Sequence, residues 1–159
     1  MAELTIESNG RLEKTAVFFN GEQLAGIREI MLNLDEDGTF NAIIQFKGTD
    51  NKVHTKQIFT ENLEYLKVTE PTFTEEEALQ LQQVTIESDG DIEETFLYLN
   101  EEELEGVVSA FLHIKSNTSD EKSLPSLFGK KKKIVQAEVC NCEITFRNED
   151  DSLETEKIF

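Results

Sequence analysis

Leu4-Thr-Ile-Glu-Ser-Asn-Gly-Arg-Leu-Glu-Lys-Thr15 returns 80 positions later as Val84-Thr-Ile-Glu-Ser-Asp-Gly-Asp-Ile-Glu-Glu-Thr95. The correspondence runs without a gap through Asn20/Asn100, Glu22/Glu102, Leu24/Leu104 and Gly26/Gly106 to Leu32/Leu112. About 12 of the 31 positions from 4 to 34 are identical, and most of the others exchange one apolar residue for another. The chain therefore reads as an internal duplication. The copies part after Ile114 and rejoin at Asn141 with an offset of 100, matching Phe46/Phe146, Asp50/Asp150, Thr55/Thr155, Ile58/Ile158 and Phe59/Phe159. The expected organisation is a first β repeat over 1–59, a partly helical connector over 60–83, and a second β repeat over 84–159. The second repeat carries an inserted loop at 115–133.

Each copy alternates polar and apolar residues with the period of a strand. Leu4 to Ser8 alternates and stops at Asn9-Gly10, a pair that tolerates positive φ and signals a tight hairpin. Lys14 to Phe19 is a second strand, ended by Asn20-Gly21. A third, Ile27 to Leu34, places Ile30, Leu32 and Leu34 on one face. A fourth, Thr39 to Lys47, does the same with Phe40, Ala42, Ile44 and Phe46. Lys52 to Phe59 is the fifth. Short loops favour an antiparallel meander. In the connector, Thr74-Glu-Glu-Glu77 fits a capping box, and Leu63, Leu66, Leu79 and Leu81 are placed to pin the segment to the sheets. The fold class is all-β: two tandem homologous antiparallel β-meander modules of about five strands each, with a short helical connector. They pack as a sandwich or as paired small barrels. Modules of this size are marginal alone, so they are expected to pack on one another or on a second chain.

Fifteen basic residues stand against 33 acidic ones, for a net charge of −18 and a pI near 4.4. From Lys115 to Lys133 there are six lysines against Asp120 and Glu121, a net of +4, so the rest of the chain carries −22. Such a body repels nucleic acid and anionic membrane at long range and favours basic partners. No direct nucleic-acid or membrane role is expected. The N-terminus is acidic and strand-like rather than a signal sequence, and the two cysteines form no disulfide framework, so a cytoplasmic location is expected.

No constellation of catalytic residues stands out. Cys140-Asn-Cys142 puts two thiols on one strand face, but both align with inward positions, Phe40 and Ala42, and two further zinc ligands are missing. Cysteine there reads as a small core hydrophobe. His54 and His113 read as surface residues with no nucleophile in a recognisable relation to them. Asp35-Glu-Asp-Gly38 lacks the alternate ligands and distal Glu of a calcium loop. No catalytic, cofactor or metal residue is assigned, and no cofactor is expected. Two sets of residues point outward from the fold instead. In the insertion, Leu124, Leu127 and Phe128 stand beside Lys130, Lys131, Lys132 and Lys133, a pattern suited to docking a partner. In the second strand of each copy, Ala16-Val-Phe-Phe19 and Phe96-Leu-Tyr-Leu99 are apolar on both faces, where a strand with one wet side should alternate. Phe18, Phe19 and Tyr98 are therefore candidates for self-association, unless the connector covers them.

The expected function is that of a non-enzymatic, acidic protein-interaction module that binds and blocks a partner with a basic surface. Small inhibitors, immunity proteins and nucleic-acid mimics, such as phages and mobile elements encode, have this character. The alternatives are a structural subunit that self-associates through its β surface, and a module holding a small ligand between its repeats.

Overall fold

The structure is a computed structural model and describes residues 2–116 and 138–159. Leu124, Leu127, Phe128 and Lys130 to Lys133 lie outside the described residues. Thirteen strands follow in order. They are β1 (Ala2–Ser8), β2 (Ala16–Phe19), β3 (Glu22–Ala25), β4 (Ile27–Asp35), β5 (Phe40–Lys47), β6 (Val53–Gln57) and β7 (Lys67–Thr69), then β8 (Gln82–Ser88), β9 (Thr95–Leu99), β10 (Glu102–Glu103), β11 (Val107–Lys115), β12 (Val139–Arg147) and β13 (Leu153–Lys157). One helical turn, α1 (Glu75–Ala78), precedes β8.

All pairs are antiparallel. A seven-stranded sheet runs β10-β9-β8-β1-β2-β3-β7, and a six-stranded sheet runs β13-β12-β11-β4-β5-β6. Neither closes into a barrel. Their inward faces share one core, which includes Leu4, Ile6, Val84 and Ile86 from one sheet and Ile30, Leu32, Leu112 and Ile144 from the other. The meander expected within each copy is thus divided: β1 to β3 lie in one sheet and β4 to β6 in the other. The crossing is made at Gly26, with φ of +75°. A Cβ there would come within 2.7 Å of the Lys47 carbonyl oxygen, and the Lys47 N–H donates to the Gly26 carbonyl at 2.8 Å. Three strands per layer leave an open edge, and pairing β1 with β8 and β4 with β11 extends both layers over a common core. The registers bring positions 80 apart face to face: Thr5 opposes Thr85 and Leu32 opposes Leu112.

Asn20-Gly21 makes the two-residue hairpin expected of it, with φ of +50° and +86° and Phe19 opposite Glu22. Asn9-Gly10 does not. There the chain continues through a 3-10 turn, Leu12–Lys14, before β2 begins. Buried hydroxyls hold this wider loop. The Gly10 N–H donates to Ser8 Oγ (3.1 Å), Ser8 Oγ lies 2.7 Å from Thr15 Oγ1, and Thr15 donates to the Arg11 carbonyl (2.7 Å). Because Thr15 spends its proton on Arg11, Ser8 is the donor to Thr15. Ser88, Gly90, Thr95 and Asp91 repeat the arrangement. In the connector the Thr74 capping box forms, and Leu63 and Leu66 pack against the core. Leu79, expected to pin the connector, is instead 81% exposed, because α1 ends after a single turn and does not turn it inward.

Candidate protein-interaction surfaces

Directly opposed residues of antiparallel strands share a face. On the seven-stranded sheet, one unbroken outward row follows from the registers: Thr69, Gln23, Phe18, Thr5, Thr85, Tyr98, Glu103. Thr5 and Thr85 meet at its centre, Oγ1 to Oγ1, at 3.0 Å. Of the three aromatic residues proposed for self-association, Phe18 and Tyr98 lie in this row. Phe19 lies opposite Leu4 and packs against the core.

The connector covers one end of this face. Gln23 donates from Nε2 to Thr72 Oγ1 (2.7 Å) and accepts the Thr72 N–H (2.8 Å), while Lys14 Nζ sits 5.9 Å from the Phe73 ring centre. Gln23 is buried in consequence. The two-faced apolar pattern of the second strand is explained here from within the chain. At the other end, half-buried Phe96 and Tyr98 stand among Glu3, Glu7, Glu87 and Glu103. Strands β1, β8, β9 and β10 contain no lysine or arginine. Glu3 and Glu87 oppose each other directly, an arrangement that costs stability. Burial raises the Glu7 carboxyl above its ordinary range, with a hydrogen bond from Gln83 acting the other way. The Tyr98 phenol is pushed up by desolvation and by Glu87, Glu103 and Glu3.

A groove of about 540 Å³ opens where β10 and the start of β9 approach the turn between β4 and β5. Leu34, Ile92, Leu97, Leu104 and Val107 give it an apolar floor, and Asp35, Glu36, Asp37, Glu93 and Glu103 an acidic rim. Among the described residues no basic side chain lines it. Arg147 reaches one rim carboxylate, Glu36, at 2.8 Å. A shallower groove of about 530 Å³ shares Gly38 and Ile92 with it and adds Asp89 and Asp91. Asp35 and Asp37 also shape their own turn, accepting the N–H groups of Asp37 (3.3 Å) and Thr39 (2.8 Å).

Both histidines, read as surface residues with no nucleophile in a recognisable relation to them, have carboxylate partners. His54 Nε2 lies 3.0 and 2.9 Å from the two Asp50 oxygens, and the ring stacks on Phe46 and Tyr65. The Asp50/His54 spacing across the Gly48 turn was a legible signal. His113 Nε2 lies 2.6 Å from Glu29 Oε2, a meeting that depends on the β4–β11 pairing and has no local signature. Cys142 is buried, and burial foremost, then Cys140 and Glu143, push its thiol up to about 12. Cys140 Sγ lies 3.2 Å from Ser8 Oγ and 3.4 Å from Thr15 Oγ1, against the buried hydroxyl chain. Among the described residues no group of three His, Cys, Asp or Glu is placed to hold a metal ion. No helix among them is long and apolar enough to cross a membrane.

No protein-family model matches the chain, and comparison with curated proteins and with solved structures gives no match.

Proposed function

We propose that this chain is a non-enzymatic protein-interaction module whose acidic β surface binds and blocks a partner bearing a basic surface. The observation that carries the reading is the β1-β8-β9-β10 end of the seven-stranded sheet. There Glu3, Glu7, Glu87 and Glu103 surround two half-buried aromatic rings on four strands that contain no lysine or arginine. Carboxylates held in like-charge opposition at a cost to stability are relieved when a partner supplies lysine or arginine. Half-buried rings add contact area of the kind that anchors interfaces.

The organisation we propose for this module is two copies of one β unit, 1–59 and 84–159, joined by 60–83 and related by a pseudo-twofold axis. The Thr5–Thr85 and Leu32–Leu112 pairings support it, since each joins a residue to its counterpart in the other copy. So do Gly10, whose absent Cβ would lie 3.6 Å from Phe159, and Gly90, whose absent Cβ would lie 3.3 Å from the Phe59 carbonyl oxygen. A cytoplasmic setting and a docking role for Leu124, Leu127, Phe128 and Lys130 to Lys133 belong to the same proposal.

The test is binding to a basic protein partner captured at low salt, repeated at higher salt and with Glu3→Lys and Glu87→Lys. Exposed charges are screened within about 8 Å at physiological ionic strength, so affinity should fall steeply with salt and with either reversal. Salt-independent binding, or binding indifferent to both reversals, would sink the reading. The alternative is a self-associating assembly subunit using Phe18 and Tyr98, which the half-buried outward aromatics favour. Symmetric stacking of two such faces sets their carboxylates against one another. A salt-resistant oligomer in light scattering, broken by Phe18→Lys, would select that alternative.

A further inference from the structure

The seven-stranded sheet ends in β7 on one side and in β10 on the other. β3 is covered by β7, in the register Gln23↔Thr69, Leu24↔Val68, Ala25↔Lys67. β10 stands where β3 stands, 80 residues on. It follows the turn Asn100-Glu101 as β3 follows Asn20-Gly21, and it pairs Glu102 with Leu99 and Glu103 with Tyr98 as β3 pairs Glu22 with Phe19 and Gln23 with Phe18. Both lead into a glycine at positive φ, +70° for Gly106 and +75° for Gly26. The Arg147 N–H donates to the Gly106 carbonyl at 2.8 Å, as that of Lys47 does to Gly26. Yet β10 is the last strand of its sheet, and among the described residues no strand lies along its outer edge.

Covering has a visible effect on burial. Under β7, Leu24 is 6% exposed and Gln23 7%. Their counterparts Leu104 and Glu103 are half-buried and exposed, and both line the groove. The segment that finishes the first edge also brings Leu63 and Leu66 against the core and carries Lys67 alongside Gly26. The open edge thus has a vacant counterpart in shape and a ready backbone. The Leu104 N–H is used inward, on the Leu97 carbonyl at 2.8 Å. By the alternation of an antiparallel ladder, Glu103 turns its N–H and C=O outward, as Gln23 does toward β7, and the same alternation carried past the end of β10 sets Glu105 in the place of Ala25.

We propose that the β10 edge and its groove bind an extended basic segment of the partner protein, added antiparallel to β10 as an eighth strand. Apolar side chains of that segment enter the groove over Leu104 and Val107, and its lysines or arginines meet Glu36, Glu93 and Glu103. Strand addition supplies affinity through the main chain and specificity through alternate side chains. The charge on Glu101, Glu102, Glu103 and Glu105 opposes pairing of this edge with a second copy of itself, and selects a strand of opposite sign. The inference rests on the reading of the protein as a binder of basic partners, and goes beyond it in naming the edge and the backbone geometry.

The experiment is an NMR titration of the full chain with a synthetic nonapeptide. The peptide has the sequence of residues 62–70 with Glu64→Lys and Glu70→Lys, and a scrambled peptide of equal composition is the control. The expected result is that the ordered peptide slows amide exchange at Glu103 and Glu105 and shifts Leu104 and Val107. Glu105→Pro, which removes one outward N–H and leaves the Leu104–Leu97 bond, should weaken binding about tenfold. Glu93→Lys, on the rim and away from the strand ladder, should weaken it several-fold, and keeps the test valid if the proline variant misfolds. Binding by both peptides alike, with shifts at Thr5, Thr85 and Tyr98 and none at Glu103 or Glu105, overturns strand addition while leaving the acidic binder standing. Absence of binding by either peptide and by any basic protein overturns both.

Discussion

Replacing Glu101 by glycine should stabilise the protein. Glu101 has φ of +73° in the two-residue turn between β9 and β10, whereas the matching turn between β2 and β3 has Gly21 there, at +86°. A residue with a Cβ loses about 1–2 kcal/mol in the left-handed region. Glycine avoids that loss but surrenders more chain freedom on folding, about 0.5–1 kcal/mol. Removing one of four carboxylates between 101 and 105 adds a few tenths at most, since all are exposed. The balance is a gain of about 0.5–1 kcal/mol. The reverse change, Gly21→Glu, should lose about as much. A Cβ on Gly21 would meet nothing within 4 Å, so its cost is conformational and not steric. Urea unfolding of both variants gives the answer, provided the slope with denaturant is unchanged, so that the midpoint shift reports stability alone. A loss of stability in Glu101→Gly, or an unaltered midpoint in Gly21→Glu, would refute the claim that backbone strain is stored in the second turn.

Three further outcomes are expected. Ser88→Ala should cost about 2 kcal/mol in the same assay, because it breaks the chain from Gly90 N–H through Ser88 to Thr95 and strands a donor at a fully buried site; a cost below about 0.5 kcal/mol would mean that solvent satisfies the loop. Cys142 should resist alkylation by iodoacetamide in the native state, even at pH 9, and react on unfolding, since its thiol titrates only at about 12; mass-resolved labelling distinguishes it from Cys140. Asp37 and Asp150, lowered by hydrogen bonds from Thr39 and Ser152, contribute stability that is present above the ordinary aspartate range and is lost as pH falls through their lower folded values. A plot of Tm against pH should therefore decline on the acid side of pH 4, and Asp150→Asn should flatten that decline.

Much of the fold is legible because strand periodicity is a local property. Ile30, Leu32 and Leu34 announce their buried face, as do Ala42, Ile44 and Phe46, and all are buried as read. Neighbours are another matter. Nothing in Leu4-Thr-Ile-Glu-Ser says that β1 is paired on one side by β2 and on the other by β8, because the same alternation suits either a module folding alone or one interlocked with its copy. Asn9-Gly10 misleads for a related reason: the dipeptide permits a tight turn, but the Ser8–Thr15 hydroxyl bond spans a wider one. The surfaces were legible in part. The two-faced apolar second strand signalled a cover, and Thr72 and Phe73 provide it at the first copy's end.

In the proposed two-copy organisation, β3 and β10 occupy equivalent places, and the segment between the copies covers β3. Here Leu63 to Thr69 is spent on β3. The sequence repeat ends just where this difference arises, so alignment of the copies conceals it and only the registers bring it out. An edge left open by symmetry would ordinarily invite indiscriminate pairing. In and around β10 the chain places Glu101, Glu102, Glu103 and Glu105, where positions 80 earlier have Gly21, Glu22, Gln23 and Ala25. Three differences to glutamate at the β10 edge do little for packing, since none of those side chains is buried. They convert an uncommitted strand edge into one that excludes its own kind and admits a basic strand, and that conversion is what the Glu105→Pro and Glu93→Lys variants measure.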